Sequence, residues 1–269
     1  MQSHFSMIWE SVADSVPEHV ALIQGERQIS WRDYEDRASR LAQGLIDAGL
    51  GHNSKVGMYL YNSPEYAETN FAAMKIGGVP INVNYRYLDD ELHYLLENAD
   101  IEALVFHSSL GDRLARVRSR LPMLKAMICV DDGPAEDGSM GPTNSLPYDT
   151  FLAQASGSAK TQPQGDEIYM LYTGGTTGMP KGVMYPLDGF TEFFMRGFPP
   201  MIGLPPFEDA AQFSPAARQM VDANATVVAM SGPPLMHGTG CWLGLMFPRM
   251  LGGTSVLLKN HGFKPEEVW

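Results

Sequence analysis

Apolar strand-like segments alternate with helix-like segments through the first 130 positions, and this alternation leaves few folds open to the chain. The predicted strands are residues 55–61, 79–83, 103–106 and 126–130. Three helices are predicted between them. The first starts at the Ser63 cap, with Pro64 in its first turn, and stops at Gly77–Gly78. The second covers residues 89–98, and the third is a basic amphipathic helix over residues 109–120. Strands joined by helices pair in parallel. The sequence therefore predicts an α/β fold with stacked, mostly parallel sheets and intervening helices.

The segment before this alternation predicts a small hairpin over residues 20–30, with its turn at Gly25 and Glu26. Ser30 then caps a helix, because Asp33 follows three residues later in a near capping box. An apolar stripe with helical spacing follows and ends at Gly49; its members are Tyr34, Ala38, Leu41, Ala42, Leu45 and Ile46.

Two polar stretches divide the chain. Residues 131–148 are rich in Asp, Gly, Pro, Ser and Asn and predict an exposed connection, and residues 156–166 form a second linker after a short helix near 148–155. We expect a first α/β subdomain over residues 1–160 and a second over residues 161–269. The elements expected in the second are a helix over 187–196, an irregular proline-rich stretch over 198–206, a helix over 214–223, a strand over 226–231 and an apolar helix over 241–251.

The stretch Tyr172–Gly182 reads Tyr-Thr-Gly-Gly-Thr-Thr-Gly-Met-Pro-Lys-Gly and lies between apolar runs at 168–172 and 183–185. Its four glycines let backbone N–H groups turn toward a ligand, its three threonines add hydroxyl donors, and Lys181 adds a mobile positive charge. This combination suits a polyphosphate. Pro180 stands before the lysine and Gly182 after it, which excludes the Walker loop. The alternative is a Gly/Thr-rich turn with an incidental lysine and no role in phosphate binding.

This stretch resembles the signature loop of the adenylate-forming enzymes, the AMP-binding superfamily, in its acyl-CoA synthetase branch. The family form usually has serine where Gly174 stands, so Gly174 is expected to contribute a backbone contact only. The resemblance implies that the loop holds the phosphates of ATP and the leaving pyrophosphate, with Lys181 also counted as catalytic. The implied ATP-binding residues are Thr173, Gly174, Gly175, Thr176, Thr177, Gly178 and Lys181.

Two segments of the first half also resemble the family, namely residues 29–34 and residues 74–82. They correspond to helix ends and a strand start, and no chemistry is expected of them. Their order ahead of the loop supports the resemblance.

A second segment, Pro234-Leu235-Met236-His237-Gly238, follows the predicted strand at 226–231. A histidine in such a loop is more often a hydrogen-bonded structural residue than a catalytic one. The segment is similar to the family's P-x-x-H-x-x-G segment, and this implies that His237 lies between the ATP phosphates and the acyl channel, as a catalytic and substrate-pocket residue. Trp242 and Met246 are implied, more weakly, to line the acyl pocket, and core packing is the alternative for both. No second ligand stands at metal-binding spacing from His237, so no protein-bound metal is expected.

The overall charge of −12 gives no basic surplus for a nucleic-acid backbone. No leader and no apolar run near the ~20 residues of a membrane span is recognisable. A cytoplasmic protein is expected, and the sequence leaves peripheral membrane contact and a homo-oligomer open. Cys129 and Cys241 are expected to be buried thiols.

The resemblance implies an ATP-dependent acyl-CoA ligase that uses ATP, Mg²⁺, CoA and a fatty or bulky carboxylic acid. Family members run to about twice this length, so the chain is expected to be an N-terminal fragment with little activity of its own. The alternatives are a carrier-protein-loading or aryl-acid adenylation enzyme and, from another class, a non-catalytic nucleotide-binding or oligomerisation module. A third alternative is an NTPase or kinase with an unusual loop. Such an enzyme would need acidic Mg²⁺ ligands after a second strand, and no Walker-B-like segment of this kind is found.

Overall fold

The computed structural model describes residues 3–134, 141–142, 144–175, 178–262 and 264–267. The strands are β1 (Val20–Gln24), β2 (Arg27–Ser30), β3 (Lys55–Tyr59), β4 (Val79–Asn82), β5 (Ile101–His107), β6 (Ala126–Val130), β7 (Leu146–Pro147), β8 (Ile168–Gly175), β9 (Gly178–Pro186), β10 (Val228–Met230) and β11 (Thr254–Val256). The helices are α1 (Phe5–Ser15), α2 (Trp31–Asp47), α3 (Pro64–Lys75), α4 (Asp89–Asn98), α5 (Gly111–Val117), α6 (Tyr148–Gln154), α7 (Leu187–Gly197), α8 (Phe213–Asp222), α9 (Gly238–Cys241) and α10 (Phe247–Met250). This architecture confirms the predicted α/β class.

The central sheet has the order β4-β3-β5-β6-β7, and each neighbouring pair of strands is parallel. Apolar residues from β5 point into cores on both faces: Ala103 and Val105 on one side, Leu104 and Phe106 on the other, all fully buried. Burial on both faces explains why β5 reads as a continuous apolar run rather than an alternating one. The carboxyl ends of β3, β4 and β5 meet at one edge, where α/β sheets bind ligands.

A second sheet has the order β10-β11-β1-β2, and it joins the beginning of the chain to its end. β1 pairs antiparallel with β2, as the predicted hairpin requires, and parallel with β11 through Leu22–Ser255. The larger core likewise holds residues from Phe5 to Leu257. The division into subdomains at residue 160 stays a prediction, and this sheet takes strands from both sides of it.

Two predicted helix starts are confirmed at the level of hydrogen bonds. Ser30 Oγ accepts from the amide of Asp33, and Ser63 Oγ accepts from the amide of Tyr66, with Pro64 in the first turn of α3. Both serines thereby satisfy an amide that has no partner within its helix.

The predicted helix over 241–251 differs in detail. It starts earlier, with α9 at Gly238, passes through a π-helical segment over Trp242–Met246, and continues as α10. An ideal Cβ on Gly244 would come within 2.5 Å of Ser231 Cβ, so glycine permits the close approach of this segment to the residue after β10. Within the described ranges no helix is long and apolar enough to cross a membrane.

Candidate functional site

Strands β8 and β9 form an antiparallel hairpin that extends into the predicted phosphate loop, because residues 172–175 lie in β8 and residues 178–182 lie in β9. Thr173 is opposite Lys181, Gly175 is opposite Gly178, and the register shifts between Thr173 and Gly175. This shift is a local irregularity of the ladder, which frees backbone groups next to the loop. Thr176 and Thr177 lie outside the described residues.

Gly182, opposite Tyr172 in the hairpin, has no space for a side chain. An ideal Cβ there would lie 2.8 Å from Met170 Sδ and 3.0 Å from Tyr172 Cε2. Gly174 is different, because an ideal Cβ at that position meets no atom within 4 Å. The structure therefore has room for the serine that the resemblance leads one to expect there, and the glycine is not required by packing.

A cavity of about 130 Å³ brings the two predicted segments together. Thr173 and Gly174 line it from the hairpin, and His237 lines it from the segment after β10. Its other walls are Asn82, Asn84, Tyr87, Leu171, Tyr172, Met236 and Gly238. Lys181 is exposed on β9 opposite Thr173 and is not among these walls.

The backbone leading to His237 is held by side chains from the first half of the chain. Asn62 Oδ1 accepts from the amide of Leu235 over 2.8 Å, and the hydroxyl of Tyr66 donates to the carbonyl of Leu235 over 2.9 Å. The amide of His237 donates to Pro234 O at 3.0 Å, which closes a tight turn. These contacts fix the course of the segment although Pro233 and Pro234 have no N–H to donate.

The His237 side chain is exposed at the cavity wall. Partial removal from water, and then the positive charge of Arg86, lower the pKa of His237 below its usual value. The imidazole is therefore mainly neutral at pH 7 and can both donate and accept a hydrogen bond.

Asn82, at the carboxyl end of β4, links the two walls. Its Nδ2 donates to Tyr172 O over 3.0 Å and to Met236 O over 2.7 Å, and its Oδ1 accepts from the amide of Tyr172 over 2.8 Å. No chemistry is expected from residues 74–82, the segment that contains Asn82. Its partners lie 90 and 154 positions away, so no local pattern could have indicated them.

An apolar groove of about 460 Å³ is lined by β9, α7 and the π-helical segment. Its walls are Tyr185, Pro186, Gly189, Phe190, Phe193, Phe194 and Trp242. The indole of Trp242 packs edge-on against Phe190 and Phe194, with ring centroids 5.6 and 5.8 Å apart. Sequence reasoning selected Trp242 but none of the aromatic residues of α7. The spacing of Phe190, Phe193 and Phe194 on one helix was the available signal.

Met246 lies elsewhere. Its side chain is fully buried in the larger core and is not among the walls of the groove.

Gly238 lines the polar cavity and lies close to Trp242, a wall residue of the apolar groove. An ideal Cβ on Gly238 would lie 2.9 Å from Leu171 Cδ2 and 3.2 Å from Trp242 Cζ2. Leu171, which lines the cavity, and Trp242, which lines the groove, therefore both pack close to Gly238 and form a junction between the two. A ligand with a polar head and an apolar body could place each part in matching surroundings on the two sides of this junction.

No group of three or more His, Cys, Asp or Glu side chains within the described ranges could hold a metal ion. The Mg²⁺ that the resemblance implies is therefore not assigned to any of these side chains.

Comparisons with known proteins find relatives over nearly the whole chain. A family model described as "AMP-binding enzyme" matches residues 9–269. A medium/long-chain-fatty-acid–CoA/3-oxocholest-4-en-26-oate–CoA ligase of Mycolicibacterium smegmatis is 36% identical over 264 residues, which cover 97% of this chain and 46% of that protein. A 3-oxocholest-4-en-26-oate–CoA ligase of Rhodococcus rhodochrous is 35% identical over 261 residues, covering 97% and 45%. The chain thus spans about half the length of the curated relatives it matches.

Solved structures share the fold. An anthranilate CoA ligase in complex with anthranoyl-AMP superimposes with a TM-score of 0.73 at 20% identity, over 96% of this chain and 45% of that one. The apo structure of MbtA from Mycobacterium smegmatis gives a TM-score of 0.74 at 19% identity, over 97% and 44%.

Proposed function

The chain belongs to the family of AMP-binding enzymes, and on that premise we propose that it carries the phosphate-binding and acid-binding walls of an ATP-dependent acid–thiol ligase. In the proposed reaction a carboxylate oxygen attacks the α-phosphorus of ATP, which gives an acyl-AMP and releases pyrophosphate. The sulfur of CoA then attacks the acyl carbon, which gives a thioester and releases AMP.

The observation that supports this most directly is the cavity shared by Thr173, Gly174 and His237. The two segments are more than 60 positions apart in sequence, and both were selected for phosphate and carboxylate chemistry. In the proposal the hairpin, with Thr173, Gly174, Gly175, Thr176, Thr177 and Gly178, holds the phosphates. Lys181 offsets their charge, and a neutral His237 positions the carboxylate by a hydrogen bond.

The groove indicates the class of acid. Aromatic rings form most of its walls, which favours an apolar body over a charged or short one. The curated relatives are named for medium- and long-chain fatty acids and for a sterol side-chain acid. We therefore propose a long-chain or polycyclic apolar acid, with its hydrocarbon part against Phe190, Phe194 and Trp242.

Acid-dependent exchange of pyrophosphate into ATP tests the first half-reaction in the whole protein. We expect exchange with dodecanoate or with 3-oxocholest-4-en-26-oate, and none with acetate. Lys181→Ala should lower exchange roughly tenfold or more, because a charge-assisted contact to phosphate contributes about 1.5–3 kcal/mol. Lys264→Ala removes an exposed lysine away from the cavity and serves as the charge-matched control. Equal exchange in both variants would contradict the assignment of the hairpin.

The identity of the acyl acceptor distinguishes the acid–thiol ligase from a carrier-loading adenylation enzyme. Transfer of the acyl group to CoA supports the acid–thiol ligase, whereas transfer only to a carrier protein supports a carrier-loading adenylation enzyme. Because the chain spans about half the length of its relatives, the activity is proposed for the whole protein, and we expect little ligation from these 269 residues alone.

Calorimetry of the 269-residue chain with ATP and Mg²⁺ addresses the non-catalytic alternative. Binding that Lys181→Ala weakens supports the proposed site, and absence of binding favours an inert module. The cytoplasmic location also stays a proposal, supported by the substrates ATP and CoA.

A further inference from the structure

We propose that Asn82 is a positioning residue that holds the phosphate-binding hairpin and His237 at a fixed separation. The expected effect on kinetics rests on the proposed function. The positioning role itself rests on the geometry of three hydrogen bonds. Asn82 acts through two backbone segments, and no contact with a substrate is assigned to it.

The side-chain amide of Asn82 forms hydrogen bonds with two separate segments of the chain. Both carbonyls that it contacts, on Tyr172 and Met236, are acceptors and need the NH₂ group, while the Tyr172 amide is a donor and needs the oxygen. These partners therefore determine the orientation of the amide. The side chain is only 7% exposed, so water cannot easily replace any of the three bonds.

The two residues that Asn82 contacts are sequence neighbours of the predicted site residues. Tyr172 directly precedes Thr173, and Met236 directly precedes His237. Each bond thus lies one residue from a group that the proposed function places on the substrate. One side chain from β4 fixes the start of both walls, and a change at Asn82 alters their separation without removing a residue from either.

A different asparagine provides a matched control. Asn98 Oδ1 accepts from the hydroxyl of Tyr172 over 2.7 Å. It therefore contacts the same residue as Asn82, but through the side chain rather than the backbone, and no described contact joins it to Met236. Asn98→Ala removes a hydrogen bond to Tyr172 and leaves the link between the two walls in place.

The kinetic test compares acid-dependent pyrophosphate exchange in the whole protein and in its variants. We expect Asn82→Ala to lower kcat tenfold or more, with KM for ATP and KM for the acid each within threefold of the unmodified protein, because both walls persist and only their alignment is lost. Asn98→Ala should stay within twofold in all three parameters. A KM increase at unchanged kcat, or a kcat within twofold for Asn82→Ala, would overturn the inference.

Asn82→Asp adds a readout that a purely structural role does not move. An ionised carboxylate can accept from the Tyr172 amide but repels the two carbonyl oxygens, whereas a protonated one has one O–H to donate. Burial beside two carbonyls raises the pKa of such a carboxyl. We therefore expect the kcat of Asn82→Asp, relative to the unmodified protein, to rise at least threefold from pH 8 to pH 6, while the ratio for Asn82→Ala stays flat. A flat ratio for Asn82→Asp overturns the inference.

Hydrogen exchange in the 269-residue chain tests the bond between the Tyr172 amide and Asn82 Oδ1 without any turnover. We expect the Tyr172 amide to exchange at least tenfold faster in Asn82→Ala and at an unchanged rate in Asn98→Ala. Because Asp has the shape of Asn, the Asp variant at pH 6 serves as the folded form if the Ala variant unfolds. If the unmodified whole protein shows no acid-dependent exchange, the proposed function fails, and protection of the Tyr172 amide still tests whether Asn82 holds the hairpin. Equal protection in the Asn82→Ala and unmodified chains overturns the positioning role of Asn82.

Discussion

Trp242 donates from Nε1 to the hydroxyl of Tyr169 over 3.2 Å, and this bond fixes the indole between the apolar groove and the hairpin. Burial raises the pKa of Tyr169 well above its usual value, so its hydroxyl is neutral at physiological pH. The wall of the groove and the strand that leads to the phosphate loop are thereby connected through one polar contact within an aromatic cluster.

Replacement of Trp242 by Ala should raise KM for the apolar acid roughly tenfold to a hundredfold, because the loss of a large apolar side chain removes about 1.5–3 kcal/mol of contact. Trp242→Phe keeps a ring but loses the bond to Tyr169, and a smaller rise is expected. The measurement is acid-dependent pyrophosphate exchange at varied acid concentration. Leu243→Ala, at an adjacent residue that is 41% exposed and outside the groove, is the control. An unchanged KM in Trp242→Ala would show that the acid binds elsewhere.

Gly238→Ala should disturb the junction between the cavity and the groove. The new methyl group would lie 2.9 Å from Leu171 Cδ2, so either Leu171 or Trp242 must move. Overpacking of this kind costs about 1–3 kcal/mol, and we expect a lower melting temperature together with a several-fold lower exchange rate. Gly197→Ala, where an ideal Cβ meets nothing within 4 Å, should leave both quantities nearly unchanged. Equal behaviour of the two variants would contradict the close packing at Gly238.

His4 makes the stability of the fold depend on pH. Its Nδ1 accepts from the amide of Ser6 at the start of α1, and burial lowers the pKa of His4 from 6.5 to about 4. The unfolded chain therefore takes up the proton first as the pH falls. The free energy of unfolding should decrease between pH 6.5 and about 4, with a contribution from His4 of roughly 3 kcal/mol.

His4→Asn keeps an acceptor at the cap but has no titrating group in this range. Urea unfolding from pH 7 to pH 5 should give a flatter decline for His4→Asn than for the unmodified chain. Parallel curves would show that His4 does not carry the effect.

Arg249 is fully buried and is held without a carboxylate in the described part of the chain. Its guanidinium lies 3.9 Å from the ring centroid of Trp9, and its nitrogens donate to Tyr34 Oη, to Asn70 Oδ1 and to Leu245 O. Arg249→Lys retains the charge but cannot reach three acceptors at once, so we expect a loss of about 2–3 kcal/mol in the free energy of unfolding.

Arg218→Lys is the matched control for this variant. Arg218 pairs with Asp222 across one turn of α8 and is 58% exposed, and such pairs contribute little. A change below about 0.5 kcal/mol is expected there by denaturant unfolding. If Arg249→Lys is equally mild, the buried network does not stabilise the fold.

Short sequence patterns were sufficient to predict those elements that depend only on neighbouring residues. The caps at Ser30 and Ser63, the hairpin of β1 and β2, and the buried run of β5 each follow from a few neighbouring residues, and the structure confirms them. Helix α1 lies outside the predicted elements although Phe5, Ile8, Trp9 and Val12 repeat at helical spacing. That pattern was sufficient to predict it.

Contacts between distant segments could not be predicted in the same way. The loop Tyr172–Gly182 indicates phosphate binding by its composition, but nothing near it shows that Asn82 holds its first strand. β11 has three residues and forms only because β1 and β10 flank it. The apolar groove likewise needs α7 and the π-helical segment to come together, which depends on tertiary packing.

The pairing of the first and last strands has a consequence for how the protein is made. Thr254 Oγ1 donates to Val20 O, 234 positions earlier. At a synthesis rate of about 5–20 residues per second, β1 waits roughly 10–50 s before its partner strand exists. During that interval β1 can pair only with β2, and its other edge has no partner strand. The second sheet is therefore completed only late in the synthesis of these residues, and the open edge of β1 is exposed to non-native pairing until then.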